Sequence, residues 1–142
     1  MTICKNIEII SDKKKIISII IRKNYKNKGI KFFTPNCFSQ QVAQMTHEKG
    51  KLIKCHYHKK IVRKTLNTQE VLIIKKGKLK VFLFSEKKKY FCSKILNDGD
   101  VILLASGGHG FKALSEVSFV EVKQGPYSPK KDKVLFESVK LK

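Results

Sequence analysis

Apolar residues come in short runs along this chain, and each run is closed by residues that turn the backbone. The runs cover residues 7–10, 16–22, 42–45, 51–57, 71–75, 79–84, 90–95, 101–104, 111–114 and 119–122, most of them about 8–12 residues apart. Between them stand Ser11-Asp12, Lys49-Gly50, Lys76-Gly77-Lys78, Ser85-Glu86, Asn97-Asp98-Gly99-Asp100 and Gly107-Gly108. Glycine supplies positive φ at such points, and Asn or Asp side chains bond their own backbone, so the separators are turns. Short β-rich runs at this spacing predict an all-β sandwich or barrel. Only residues 38–45, with Gln40 and Gln41 among them, can pass for two helical turns, and strand signals follow at once.

The same pattern organises the chain. Two apolar runs split by residues 11–15 read as a β-hairpin set before the main body, an N-terminal strand extension over residues 1–33. Residues 38–125 carry the regular succession of strands and form the barrel core. Residues 126–142 are Lys-rich with one apolar cluster at 134–136, and read as a C-terminal edge strand or tail that wraps the body. A chain of 142 residues fits a single domain. Its longest apolar run, Val101 to Ala105, is far short of the roughly 18–20 residues of a membrane span, and the first ten residues hold no continuous apolar signal region. The expectation is a cytoplasmic protein without a membrane partner.

Charge changes the picture of partners. With 31 basic and 11 acidic residues the net charge is +20, a field that attracts anions. Arg22 and Arg63 are the only arginines, however, whereas base readout and bidentate phosphate clamps draw on arginine. The lysines are scattered, and runs such as Lys13-Lys14-Lys15 and Lys87-Lys88-Lys89 fall at expected turns. We therefore read the charge as solvated surface, set nucleic acid aside as a partner, and keep a preference for anionic small molecules. Cys4, Cys37, Cys55 and Cys92 are far apart and form no CxxC pair, which fits reduced thiols, and Cys55 reads as a small buried hydrophobe.

The candidate chemistry lies in the histidines. His56-Tyr57-His58 is an HxH pair, and on a strand its two imidazoles share one face about 6–7 Å apart. Glu70 opens the apolar run that follows, so an antiparallel return can bring it opposite the pair. His109 stands just past another buried run and a glycine pair. Three imidazoles and a carboxylate suit a first-row ion with positions open to water or substrate. His47, close to Lys49-Gly50, reads as a loop residue. No Ser/His/Asp set, P-loop or GxGxxG is present.

At these residues the chain resembles the cupin superfamily, small β-barrels of jelly-roll type. The first cupin motif is a Gly, five residues, HxH, a variable gap, a Glu, six residues and a Gly, and here it reads Gly50, His56, His58, Glu70 and Gly77. The second reads Gly99, Ala105, Gly107 and His109, with Ala105 in place of the usual proline. The gap between His58 and Glu70 is longer than the shortest cupin form, which implies an extended loop over residues 59–69. The resemblance implies a jelly-roll barrel, or double-stranded β-helix, with His56, His58, Glu70 and His109 as ligands of one divalent transition metal ion: Fe, Mn, Ni, Co, Cu or Zn.

It further implies a metal-dependent enzyme of isomerase, epimerase or oxygenase type acting on a small polar or anionic molecule, such as a sugar or sugar-nucleotide derivative. The alternative is a non-catalytic module that holds a small ligand or the metal itself. Phe111, two residues beyond His109, and Arg63, in the long loop, are the substrate-pocket candidates. Gln40 or Gln41, Gln44, Lys54, Gln69, Phe82 and Lys123 are further wall candidates, and Tyr127 is a candidate cap. Cupins commonly pair edge strands, and an apolar run over residues 16–21 is a poor exposed edge, so a homodimer is expected.

Overall fold

A computed structural model describes residues 5–138. Ten strands run in order, β1 (Ile7–Asp12), β2 (Lys15–Ile21), β3 (Gly29–Phe32), β4 (Ala43–Thr46), β5 (Glu70–Lys76), β6 (Lys78–Phe84), β7 (Tyr90–Asn97), β8 (Val101–Leu104), β9 (Gly108–Ala113) and β10 (Ser118–Lys123). A four-residue helix, α1 (Pro129–Asp132), follows. The protein is all-β, as the runs and separators predict. The residues divide into two compact units, one built from those up to Tyr25 and from Asn67 onward, the other Lys26–Leu66.

The larger unit holds two antiparallel sheets, of order β1-β2-β8-β5-β10 and β7-β6-β9. Strand period puts alternate residues on one face, and those of β2, β5 and β8 that face the smaller sheet are Ile20, Leu72, Ile74, Ile102 and Leu104. They meet Leu79, Val81 and Leu83 of β6 and Leu96 of β7 in one cluster. Each such side chain contributes roughly 1.5–3 kcal/mol when taken from water, so this shared core clamps the two sheets face to face. The N-terminal hairpin is continuous with that body, since β2 pairs with β8 along Ser18–Ile21 and Ile17 and Ile20 lie in the core. The run at residues 16–21 is therefore an interior strand, not the edge that the dimer argument assumed.

Turns follow the glycine and Asn/Asp signals. Gly77 has φ +86°, and a Cβ there would stand 2.0 Å from the Glu116 carbonyl oxygen; Gly107 has φ +73°, and its Cβ would stand 2.2 Å from that of Phe84. Only glycine meets both demands. At the Asn97–Asp100 turn, buried Asp100 accepts from the backbone N–H of Lys23 and of Asn97, both at 2.9 Å, and from Arg22 at 2.9 Å. Arg22 also donates to the Ile95 carbonyl and to Glu8, which Lys94 pairs from the other side. The C-terminal tail does pack on the body, with the Phe136 ring 5.2 Å from that of Phe84 and against Gly108. Residues 139–142 of that tail, and Cys4 with the rest of the first four, lie outside the described residues.

Among the described residues the sheets do not close into the expected barrel: β1 and β10 edge the larger sheet, β7 and β9 the smaller. Closure requires every strand edge to find a partner, and residues 51–57, expected as a strand, are irregular and exposed.

In the smaller unit, β3 pairs with β4, and Thr34 and Gln41 brace the connection. The Thr34 hydroxyl donates to Gln41 Oε1 and accepts from the Val42 N–H, while the Gln41 amide donates to the carbonyls of Pro35 and Phe38. Residues 38–45 thus form a braced turn leading into β4, with no helix, because these side-chain bonds take the place of helical ones. Cys55, read as a buried hydrophobe, is exposed, as is Cys37.

Candidate functional site

Glu70 and His109 come together from different sheets. Glu70 is the first residue of β5, set between Leu104 of β8 and Lys123 of β10. His109 is the second residue of β9, opposite Leu83 of β6, and its strand begins at Gly108, three residues before the expected run. Because both strands present these positions to the interior, His109 Nε2 lies 3.0 Å from Glu70 Oε2. The Glu70 side chain is 11% exposed and that of His109 30%, so the pair sits at the mouth of the sandwich rather than deep in it. The hydrogen bond from His109 holds the Glu70 carboxyl below the usual carboxylate range against the opposing effect of burial, and the nearby Lys123 ammonium adds to it.

The surroundings are aromatic on one side and charged on the other. Phe111 shares the inward face with His109, their rings 5.3 Å apart, and it packs against the core cluster, so it is at once core and site wall. Phe119 of β10 continues that wall, 6.2 Å from Phe111. Lys123 Nζ lies 3.5 Å from Glu70 Oε1 and 2.6 Å from Glu121 Oε1, and stands 5.0 Å from the centre of the Tyr127 ring. The hydrogen bond to Glu121 raises Lys123 above the ordinary lysine range. Beside Glu70, Gln69 is 93% buried by its 7% exposure, its N–H bonded to Gln124 Oε1, and its own Oε1 has no hydrogen-bond partner among the described residues.

The other two candidate ligands, His56 and His58, belong to the smaller unit. His56 and His58 are exposed, with ring centroids 5.4 Å apart, in the irregular stretch that also carries Arg63. The strand expected to carry the pair on one face is absent, so their closeness does not come from a shared strand face. His56 Nδ1 lies 2.9 Å from the Lys54 carbonyl oxygen, a contact that an imidazole makes by donating. Among the described residues no three His, Cys, Asp or Glu side chains gather in a metal-holding group.

The 3.0 Å between His109 Nε2 and Glu70 Oε2 is that of an ordinary hydrogen bond in which the imidazole N–H donates to the carboxylate. Of the other wall candidates, Lys123 and Gln69 adjoin Glu70. Gln41 braces a turn, Phe82 is buried beneath the Lys80 ammonium on the opposite face of β6, and His47 lies exposed beyond β4. Sequence reasoning passed over Glu121 and Phe119, although the two-residue period of β10 lines them up with Lys123.

No family model matches the chain, and comparison with curated proteins and with solved structures finds none similar to it. No helix among the described residues is long and apolar enough to cross a membrane.

Proposed function

We propose that the protein is a mononuclear metal-binding cupin, an enzyme of isomerase, epimerase or oxygenase type that acts on a small polar or anionic molecule. The observation that carries the proposal is the meeting of Glu70 and His109, residues from the two separate cupin-like motifs, at 3.0 Å across two sheets. Strand order supports it as well: the motif strands β5 and β8 are neighbours in one sheet, and β9 lies in the sheet packed against it. On this reading His56, His58, Glu70 and His109 hold one ion of Fe, Mn, Ni, Co, Cu or Zn.

When bound, such an ion supplies a Lewis acid with open positions for water, dioxygen or a substrate oxygen. The chain's own residues do the rest. Glu70, kept ionised by His109 and Lys123, offers its oxygens without first losing a proton. Phe111 and Phe119 give one side of the mouth an apolar wall. Arg63 remains the candidate for clamping an anionic group of the substrate.

We further propose a cytoplasmic homodimer, favoured by the exposed apolar side chains of Ile9 and Val120 on β1 and β10, the strands that edge the larger sheet among the described residues; light scattering at micromolar concentration checks it.

The test of the metal proposal is elemental analysis of tag-free protein purified without chelator, beside His56→Ala and Glu70→Ala. About one equivalent of a first-row metal in the wild type, lost in both variants, is the expected result. A wild type that holds no metal and takes up none on reconstitution overturns it.

A further inference from the structure

Two lysine-rich hairpin tips, one from each sheet of the larger unit, enclose a cavity of about 230 Å3. Lys13 and Lys15 line it from the β1–β2 tip, Lys87 and Lys89 from the β6–β7 tip, and Ile17 of the core cluster lines it with Ser106. A Lys15–Glu86 ion pair joins the tips, and the Ser106 hydroxyl donates to the Ile16 carbonyl at 2.7 Å. Asp12 and Glu86 are the acidic residues of the lining, so four lysines face two carboxylates. Glu86 is already paired with Lys15, and among the described residues the ammoniums of Lys13, Lys87 and Lys89 have no carboxylate partner. Like charges gathered around one cavity repel, and an anion between them turns that repulsion into attraction.

The backbone of the tips points the same way. Lys13, with φ 55°, and Lys88, with φ 60°, are the only non-glycine residues of positive φ among the described residues, and one stands at each tip. Glycine, asparagine or aspartate is the ordinary occupant of such a position, so the turns themselves do not call for lysine.

We propose that the cavity between the two tips binds a compact diphosphate anion. Ammonium groups stand on both tips, so a ligand with an anionic group at each end engages both, whereas a single phosphate engages one. Lysine binds phosphate as a rotatable point charge and does not need the fixed fork of arginine, which this lining lacks. The cavity is smaller than the roughly 300–1,000 Å3 of sites for drug-sized ligands, which suits a diphosphate group and excludes a polymer. The site needs no metal at Glu70, and its test is separate from that of the metal proposal.

The test is calorimetry of the protein with inorganic pyrophosphate and with inorganic phosphate at physiological salt, where diffuse surface attraction is screened. One pyrophosphate per chain is expected, held roughly tenfold or more tightly than phosphate. Lys87→Ala/Lys89→Ala is expected to weaken pyrophosphate roughly tenfold or more, while Lys75→Ala/Lys112→Ala, the same change of charge at exposed positions outside the lining, is expected to stay within about twofold. Glu86→Gln releases Lys15 and is expected to tighten binding about threefold, a sign that general damage to the fold does not produce. Methyl diphosphate separates the two sources of the ligand: binding by both compounds fits the diphosphate end of a larger molecule, and binding by pyrophosphate alone fits the free anion. A wild type that binds no pyrophosphate overturns the proposal, as does equal weakening in the two double variants. A single-stranded oligonucleotide that binds at the same salt and is not displaced by pyrophosphate overturns it in favour of a nucleic-acid surface.

Discussion

Two buried carboxylates of the larger unit, Asp100 and Glu70, live in opposite circumstances. Asp100 is 4% exposed and its oxygens accept from two backbone N–H groups and a guanidinium, all at 2.9 Å. Arg22 in turn spreads its donors over Asp100, Glu8 and the Ile95 carbonyl, a fork that a lysine cannot reproduce. That network is closed, and it ties the turn before β8 to the ends of β1 and β2. Glu70 is partnered instead by a partly exposed imidazole at 3.0 Å and an ammonium at 3.5 Å. The closed pairing of Asp100 ties turn to strand ends, whereas the sparser pairing of Glu70 is what the metal-binding proposal draws on.

The contrast breaks first at Asp100. Asp100→Ala strands Arg22 and two buried N–H groups and is expected to cost ~3–5 kcal/mol in urea unfolding; a loss below about 1 kcal/mol would show that the network is ornamental. Arg22→Lys keeps the charge but loses the fork, with an expected loss of about 1–3 kcal/mol by the same measurement. Glu70→Gln is expected to cost under about 1 kcal/mol, since an amide still accepts from His109 and Lys123 retains Glu121, while metal uptake is lost. If Glu70→Gln destabilised the fold as much as Asp100→Ala, the distinction between the two carboxylates would collapse.

Acid sharpens the same comparison. Burial alone would push the Glu8 carboxyl up, but hydrogen bonds from Lys94 and Arg22 outweigh it and hold the group below its ordinary value, as His109 does for Glu70. A lowered folded-state pKa stabilises in full above the unfolded value, about 4.3 for Glu, and that contribution is lost as pH falls through the folded one. The urea midpoint should therefore decline below about pH 4.3, and Glu8→Gln should flatten that decline; an unchanged slope refutes the assignment. The smallest effect belongs to the exposed Lys15–Glu86 pair, where Glu86→Gln should shift stability by at most about 0.5 kcal/mol.

Nine of the ten strands answer to apolar runs in the sequence, because β-branched and aromatic runs between glycine turns are local signals that need no knowledge of the partner strand. β3 escaped notice because it is short and exposed, with Lys31 interrupting its apolar residues. The run at 51–57 misled for the complementary reason: it has strand composition, yet a strand forms only where backbone groups find a ladder. Glu70 and His109 were singled out by motif spacing and the cupin resemblance, and Phe111 by its two-residue step from His109, whereas His56, His58 and Arg63 of the same reading lie in the smaller unit. Glu121 shares the face of Lys123 by the two-residue period of β10, a signal that the sequence reading passed over.

What the amino-acid order determined by itself is local: where the chain extends and where it must turn. Tertiary structure decided the pairing of β2 with β8, the closure of Arg22 around Asp100, and the placing of Lys123 between Glu70 and Glu121. Each of these includes a link between residues 50 or more positions apart, as the 53 between Lys123 and Glu70 and the 78 between Arg22 and Asp100 illustrate. Contacts of that kind arise only when two sheets bury a common apolar face, and the packing of that face, not any local preference, sets which charges meet at its rim.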